Sequence, residues 1–117
     1  MAEIDPTIAG DMRLLRRQRN SRCHSLEQFA GEGAPREIVI GTEGVVIGRG
    51  EDATVRLTSK SASRQHALVK LRGTECVVAD NDSHNGIFLN SVKIHSAVLR
   101  DGDVLQVADA VFMYRED

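Results

Sequence analysis

Arg49 follows the apolar run Val45-Val46-Ile47-Gly48 and immediately precedes Gly50-Glu51-Asp52. A guanidinium at a strand end has its stem packed and its fork turned outward. Arg is always charged and holds its donors in a rigid plane, which suits two-point contact with phosphate oxygens. Taken singly, the position reads more readily as an exposed arginine. Ser63 lies in the polar stretch Thr58-Ser59-Lys60-Ser61-Ala62-Ser63-Arg64-Gln65-His66, where a hydroxyl and exposed backbone N–H groups can form an anion-binding concavity. Arg64 and Lys60 add positive potential there. His66, at the junction of loop and strand, reads as a structural residue whose ring bonds backbone groups, ahead of a direct ligand contact. Asn85 and Gly86 close the run Asp80-Asn81-Asp82-Ser83-His84-Asn85-Gly86. Gly86 permits a positive φ, and the Asn85 amide can both donate to and accept from an extended main chain. An isolated Asn-Gly is usually no more than a turn. Together the three segments supply a fixed cation, a hydroxyl and an amide, the groups that hold a phosphorylated side chain without cleaving it.

Such a set works only if a scaffold brings the loops together. From Arg36 onward, short β-rich runs alternate with turn residues. The spacing predicts strands at Glu37–Ile40 and Val45–Ile47 around a hairpin turn at Gly41-Thr42-Glu43-Gly44, and a short strand at Thr54–Leu57. It predicts further hairpins with turns at Arg72-Gly73-Thr74, Asn90-Ser91 and Ala108-Asp109. No helical period intervenes. The predicted fold is all-β, a two-sheet β-sandwich that presents its binding loops at one end. Residues 1–35 read as a separate N-terminal tail, flexible or forming one marginal helix, and 36–117 as the folded domain. In the tail, Met12, Leu15, Leu26 and Phe29 trace part of a helical stripe, and Gly31-Glu32-Gly33-Ala34-Pro35 reads as a linker. The arginines Arg13, Arg16, Arg17, Arg19 and Arg22 leave a basic-patch reading of the tail open.

The chain's 117 residues suit one core, and its net charge of −2 argues against polyanion binding as the main role. Without Trp and with one Tyr, it lacks an aromatic surface for single-stranded nucleic acid. No apolar run is long enough for a membrane helix, and Met1 to Gly10 lacks a signal-peptide pattern. Cys23 and Cys76 read as reduced thiols, Cys76 at a buried strand position, so a cytoplasmic location is expected. The His residues lack metal-ligand spacing, and neither a metal nor a cofactor is expected.

The joint pattern resembles the forkhead-associated (FHA) domain. Gly48-Arg49, fourteen residues to Ser63, the Ser-Arg-x-His run, Asn85-Gly86 and then Asn90 match that family in order and spacing. Leu99-Arg100-Asp101-Gly102-Asp103 also looks like its Leu-x-x-Gly-Asp hairpin. The resemblance covers residues 36–115. It implies an eleven-strand FHA/SMAD-like sandwich that binds phosphothreonine on a partner protein, downstream of a Ser/Thr kinase. By position it implies phosphate contacts from Arg49 and Ser63, and phosphate or nearby peptide contacts from Arg64 and His84. It implies a ligand-backbone contact from Asn85, with Gly48, His66, Gly86 and Asn90 as architectural residues. Peptide specificity would come from Lys60-Ser61-Ala62 and the segment after Asn81. Three departures stand out: Ile87 for a common Thr, Ser91 for a common Gly, and Val107-Ala108-Asp109 in place of the usual Leu-Gly.

Other functions fit less well. Ser63, His66 and Asp80 are hydrolase residue types, but no glycine elbow surrounds the serine, so the expectation is no catalytic residues and no enzyme. A structural FHA-like scaffold, as in some secretion systems, would have no use for Arg49, Ser63 and Asn85 together. Thr7 in the tail, if phosphorylated, is a candidate occupant of this pocket or a neighbour's. Neither nucleic acid nor membrane is expected as a partner.

Overall fold

The computed structural model describes residues 23–117, which leaves Thr7, the arginine cluster, Met12 and Leu15 outside the described residues. Eleven strands occur in chain order: β1 (His24–Ala30), β2 (Arg36–Val39), β3 (Val45–Gly48), β4 (Val55–Arg56), β5 (Ala67–Arg72), β6 (Glu75–Asp80), β7 (Ile87–Leu89), β8 (Val92–Ile94), β9 (Ser96–Leu99), β10 (Val104–Val107) and β11 (Ala110–Glu116). They form a six-stranded sheet, ordered β2-β1-β11-β10-β7-β8, and a five-stranded sheet, ordered β4-β3-β5-β6-β9. The fold is an all-β sandwich. Among the described residues no helix is long and apolar enough to cross a membrane.

The core lies between the sheets and follows from period-2 alternation. Ile47, Val69, Val78, Ile87, Leu105, Phe112 and Tyr114 are fully buried, and their strand neighbours face outward. The expected hairpins form at three turns, pairing β5 with β6, β7 with β8, and β10 with β11. The fourth does not form. Gly41–Gly44 carries the chain from β2 in one sheet to β3 in the other, so this turn bridges the sandwich.

The expected boundary at 35/36 also falls inside the sandwich. Residues 24–30 are an interior strand, paired with β11 on one side and β2 on the other. Leu26 is in the core while Phe29 is largely exposed, which is strand alternation and not a helical stripe. Sequence reasoning missed β1 because polar residues occupy buried positions. His24, Ser25 and Gln28 are all buried. His24 Nδ1 bonds the Tyr114 hydroxyl. Gln28 Nε2 donates to the carbonyls of Ala30 (3.1 Å) and Glu32 (2.7 Å), while its Oε1 accepts from Arg36 Nε at 2.6 Å. Satisfied polar groups can be buried without the apolar signature that marks a strand. Cys76 is buried in β6, and burial pushes its thiol pKa up to about 11.

Candidate functional site

Three connections leave the same end of the sandwich: residues 49–54 after β3, 57–66 after β4, and 81–86 after β6. The first two are stitched together beyond their strands. Arg49 N–H donates to the Ser63 carbonyl at 2.8 Å, Gly50 N–H to the Arg64 carbonyl at 2.9 Å, and His66 N–H to the Ile47 carbonyl at 2.8 Å. This close approach explains Gly48. A Cβ there would stand 2.1 Å from the Arg64 oxygen and 2.8 Å from that of Ser63, so no larger residue fits.

Arg49 is exposed, and its Nε donates to the Ala62 carbonyl at 3.0 Å. That bond fixes the plane of the guanidinium and leaves its terminal nitrogens without a partner among the described residues. Half-buried Ser63 accepts the His84 N–H on its Oγ at 3.1 Å, which leaves the hydroxyl proton to donate elsewhere. Exposed Asn85 donates its Nδ2 to the Ser61 carbonyl at 2.8 Å, leaving its oxygen to accept. Arg64 and His84 are exposed beside them. The loops thus bring Arg49, Ser63, Arg64, His84 and Asn85 to one end of the domain.

His66 is fully buried at the centre of this end. Its Nδ1 accepts from Ser63 N–H at 3.1 Å, and its Nε2 bonds the Gly86 carbonyl at 2.7 Å. Only the neutral tautomer with the proton on Nε2 satisfies both bonds. The His66 carbonyl also accepts Asn81 N–H at 3.0 Å. Through its imidazole and backbone, His66 therefore ties two of the connections, 57–66 and 81–86, to each other and to β3. Gly86 takes φ +81°, and the Lys93 side chain lies over it, within 2.5 Å of where a Cβ would be.

The hydrolase arrangement does not form. His66 meets the backbone nitrogen of Ser63, and its other ring nitrogen meets a carbonyl. Asp80 instead accepts Ser83 N–H at 3.3 Å. Asn90 is not at this end either. It sits at the other end of β7 with φ +50°, donating to Asp103 Oδ1 at 3.0 Å and accepting Val104 N–H at 3.0 Å.

Two features escaped the sequence reading. Arg56 joins Arg49 and Arg64 around an open groove of about 550 Å³, also bounded by Gly50, Glu51 and Asp52. Only the parallel register, which sets Arg56 beside Gly48, places it there. Glu32, assigned to a linker, reaches across to accept both the hydroxyl and the N–H of Thr58, the latter at 2.9 Å. These hydrogen bonds, the hydroxyl's first, hold the Glu32 carboxyl below its ordinary pKa of 4.5. No group of three or more His, Cys, Asp or Glu that could hold a metal occurs among the described residues.

A two-layer sandwich that gathers a cation, a hydroxyl and an amide on its apical loops has the form of a β-sandwich recognition module. The chain belongs to the FHA domain family, whose model matches residues 45–108. It is similar to the FHA domain-containing protein FhaB of Mycolicibacterium smegmatis, 39% identical over 82 residues, covering 70% of this chain and 53% of that protein. It is also similar to the transcriptional regulatory protein EmbR of Mycobacterium tuberculosis, 39% identical over 70 residues, covering 59% of this chain and 18% of that protein. The matched region is therefore about half the length of FhaB and a smaller share of EmbR. Among solved structures, it resembles a chain from a structural and functional analysis of phosphothreonine-dependent FHA domain interactions. That match has a TM-score of 0.72 at 29% identity, covering 80% of this chain and 95% of that one. Mycobacterium tuberculosis EmbR in complex with a low-affinity phosphopeptide gives 0.72 at 28% identity, covering 80% of this chain and 24% of that one.

Proposed function

We propose that this domain is a non-catalytic reader of phosphothreonine on a partner protein, and so acts after a Ser/Thr kinase. One observation carries the reading: Arg49, Ser63 and Asn85 converge on one end of the sandwich, each fixed by one hydrogen bond and each with a further group left to engage a ligand. A phosphate carries about −1.5 to −2 charge at neutral pH and accepts strong hydrogen bonds, matching the Arg49 fork and the Ser63 hydroxyl. Asn85 then meets the ligand main chain, with Arg64 and His84 beside the phosphate or the flanking peptide. Gly48, His66 and Gly86 hold the loops. The work is binding; His66, the one buried imidazole at this end, has both ring nitrogens occupied by backbone groups. The FHA structures described with phosphothreonine-dependent interactions and with a phosphopeptide support the same reading.

The test is calorimetric titration with one peptide in threonine, phosphoserine and phosphothreonine forms, its sequence taken from a phosphothreonine library. Binding confined to the phosphorylated forms, strongest for phosphothreonine, is the expected result. Equal affinity for all three would point to a scaffold indifferent to phosphate.

A further inference from the structure

The groove at the phosphate end is lined by three arginines against two carboxylates, Glu51 and Asp52. Arg49, Arg56 and Arg64 all line it, and none is in ion-pair contact with a carboxylate among the described residues, although the charge of Arg56 also acts on Glu32. Glu51 and Asp52 share its rim, yet neither is paired with a guanidinium, and Asp52 Oδ2 instead accepts from Gln65 Nε2 at 3.3 Å. Three like charges around one open groove repel each other, a cost relieved when anions enter.

Arg56 is held in place for such a role. Val55 is buried and Arg56 exposed, so strand alternation turns this side chain away from the core. Its Nε donates to the Arg49 carbonyl at 3.3 Å, which orients the fork and leaves its terminal nitrogens unpartnered among the described residues. The parallel register puts Arg56 beside Gly48, one residue from Arg49. Neighbouring strands stand about 4.8 Å apart and an extended peptide advances about 3.3 Å per residue. An anion at Arg56 therefore belongs about two residues from the group held by Arg49.

We propose that Arg56, together with Arg64, forms a second anion subsite beside the phosphate pocket, so that preferred ligands carry another negative group close to the phosphothreonine. This inference rests on the phosphothreonine reading above. The shared chemistry is an oxyanion, from an Asp or Glu side chain or from a second phosphorylated residue.

The test titrates the domain with three kinds of phosphothreonine peptide. One has neutral flanks, a set carries a single Asp at each position within three residues, and one carries a second phosphate at the best of those positions. The neutral peptide without phosphate is the control. At least one acidic position should tighten binding by about fivefold, and the second phosphate should do at least as well. Arg56→Ala should lose that gain while weakening the neutral-flank peptide far less, and Arg56→Lys should keep part of it. Thermal melts of both variants check that the domain stays folded. The subsite is overturned if no acidic or doubly phosphorylated peptide binds more tightly, or if the gain survives Arg56→Ala. Equal binding of the neutral peptide with and without phosphate would overturn the phosphothreonine reading itself, and the subsite with it.

Discussion

The two ends of the sandwich use polar residues in opposite ways. At the end bearing Arg49, Ser63 and Asn85, each side chain makes one bond to a neighbouring loop and keeps further donors or acceptors facing solvent. At the other end, the polar atoms close turns on themselves. Asn90 bonds both Asp103 and Val104, Asp103 Oδ2 accepts Arg100 N–H at 2.8 Å, and Asp101 Oδ1 accepts Glu116 N–H at 2.8 Å. The Glu116 N–H bond first, and then Arg115, hold the Asp101 carboxyl below its ordinary pKa. One end is a rigid frame with spare hydrogen-bonding capacity; the other is a frame alone. Capacity left over after the fold is satisfied is what marks a recognition surface.

Five substitutions, in four steps, would break or sharpen that contrast. The largest effect belongs to His66→Ala, which removes the ring joining Ser63 and Gly86 and leaves a void with unpaired backbone groups. Stability should fall by about 2–4 kcal/mol, with loss of phosphopeptide affinity, read by denaturant melts and titration of the same sample. Next is Asn90→Ala, which strips the β7–β8 turn of its bonds to Asp103 and Val104. It should cost about 1–2 kcal/mol and leave affinity unchanged, because the turn serves only the frame. A coupled loss of affinity would break the contrast.

Third is a gain. Ser91 has φ +72° and Ala108 has φ +56°, conformations that cost a side chain and that glycine adopts freely. Ser91→Gly and Ala108→Gly should each stabilise the domain by about 0.5–1 kcal/mol, seen as a higher melting midpoint. The smallest effect concerns Glu32, whose pKa is lowered by its bonds to Thr58. A lowered carboxylate pKa means that this contact contributes fully above the ordinary value near 4.5 and is lost as pH falls through the lowered value. Glu32→Gln at neutral pH should reproduce that loss, as faster hydrogen exchange in residues 58–63 with little change in melting.

Legibility in the sequence followed the same division. Strands with apolar alternation, such as Val45–Gly48 and Val104–Val107, were readable because their burial is hydrophobic. β1 was not, because buried His24 and Gln28 are satisfied by partners far along the chain or in the next loop, which no local window shows. β9, four residues with only Leu99 buried, carries too little pattern. The Gly41–Gly44 turn was visible as a turn, but its crossing between sheets depends on β1 taking the place beside β2. Of the candidate site, the convergence of Arg49, Ser63 and Asn85 at one end was legible because each belongs to a residue-spacing pattern. Arg56 was not, since only a tertiary register places it in the groove. The departures at Ser91 and Ala108 were visible as missing glycines, and the structure shows what their absence entails: positive φ at both.

The most direct test of the central claim is the affinity of Arg49→Ala for a phosphothreonine peptide, measured beside the wild type and the unphosphorylated peptide. The Arg49 backbone holds Ser63 and its side chain is exposed, so the variant should melt close to the wild type. Its phosphopeptide affinity should fall by about two orders of magnitude or more, to the level of the unphosphorylated control. A folded Arg49→Ala domain that still distinguished phosphorylated from unphosphorylated peptide as well as the wild type would contradict the account.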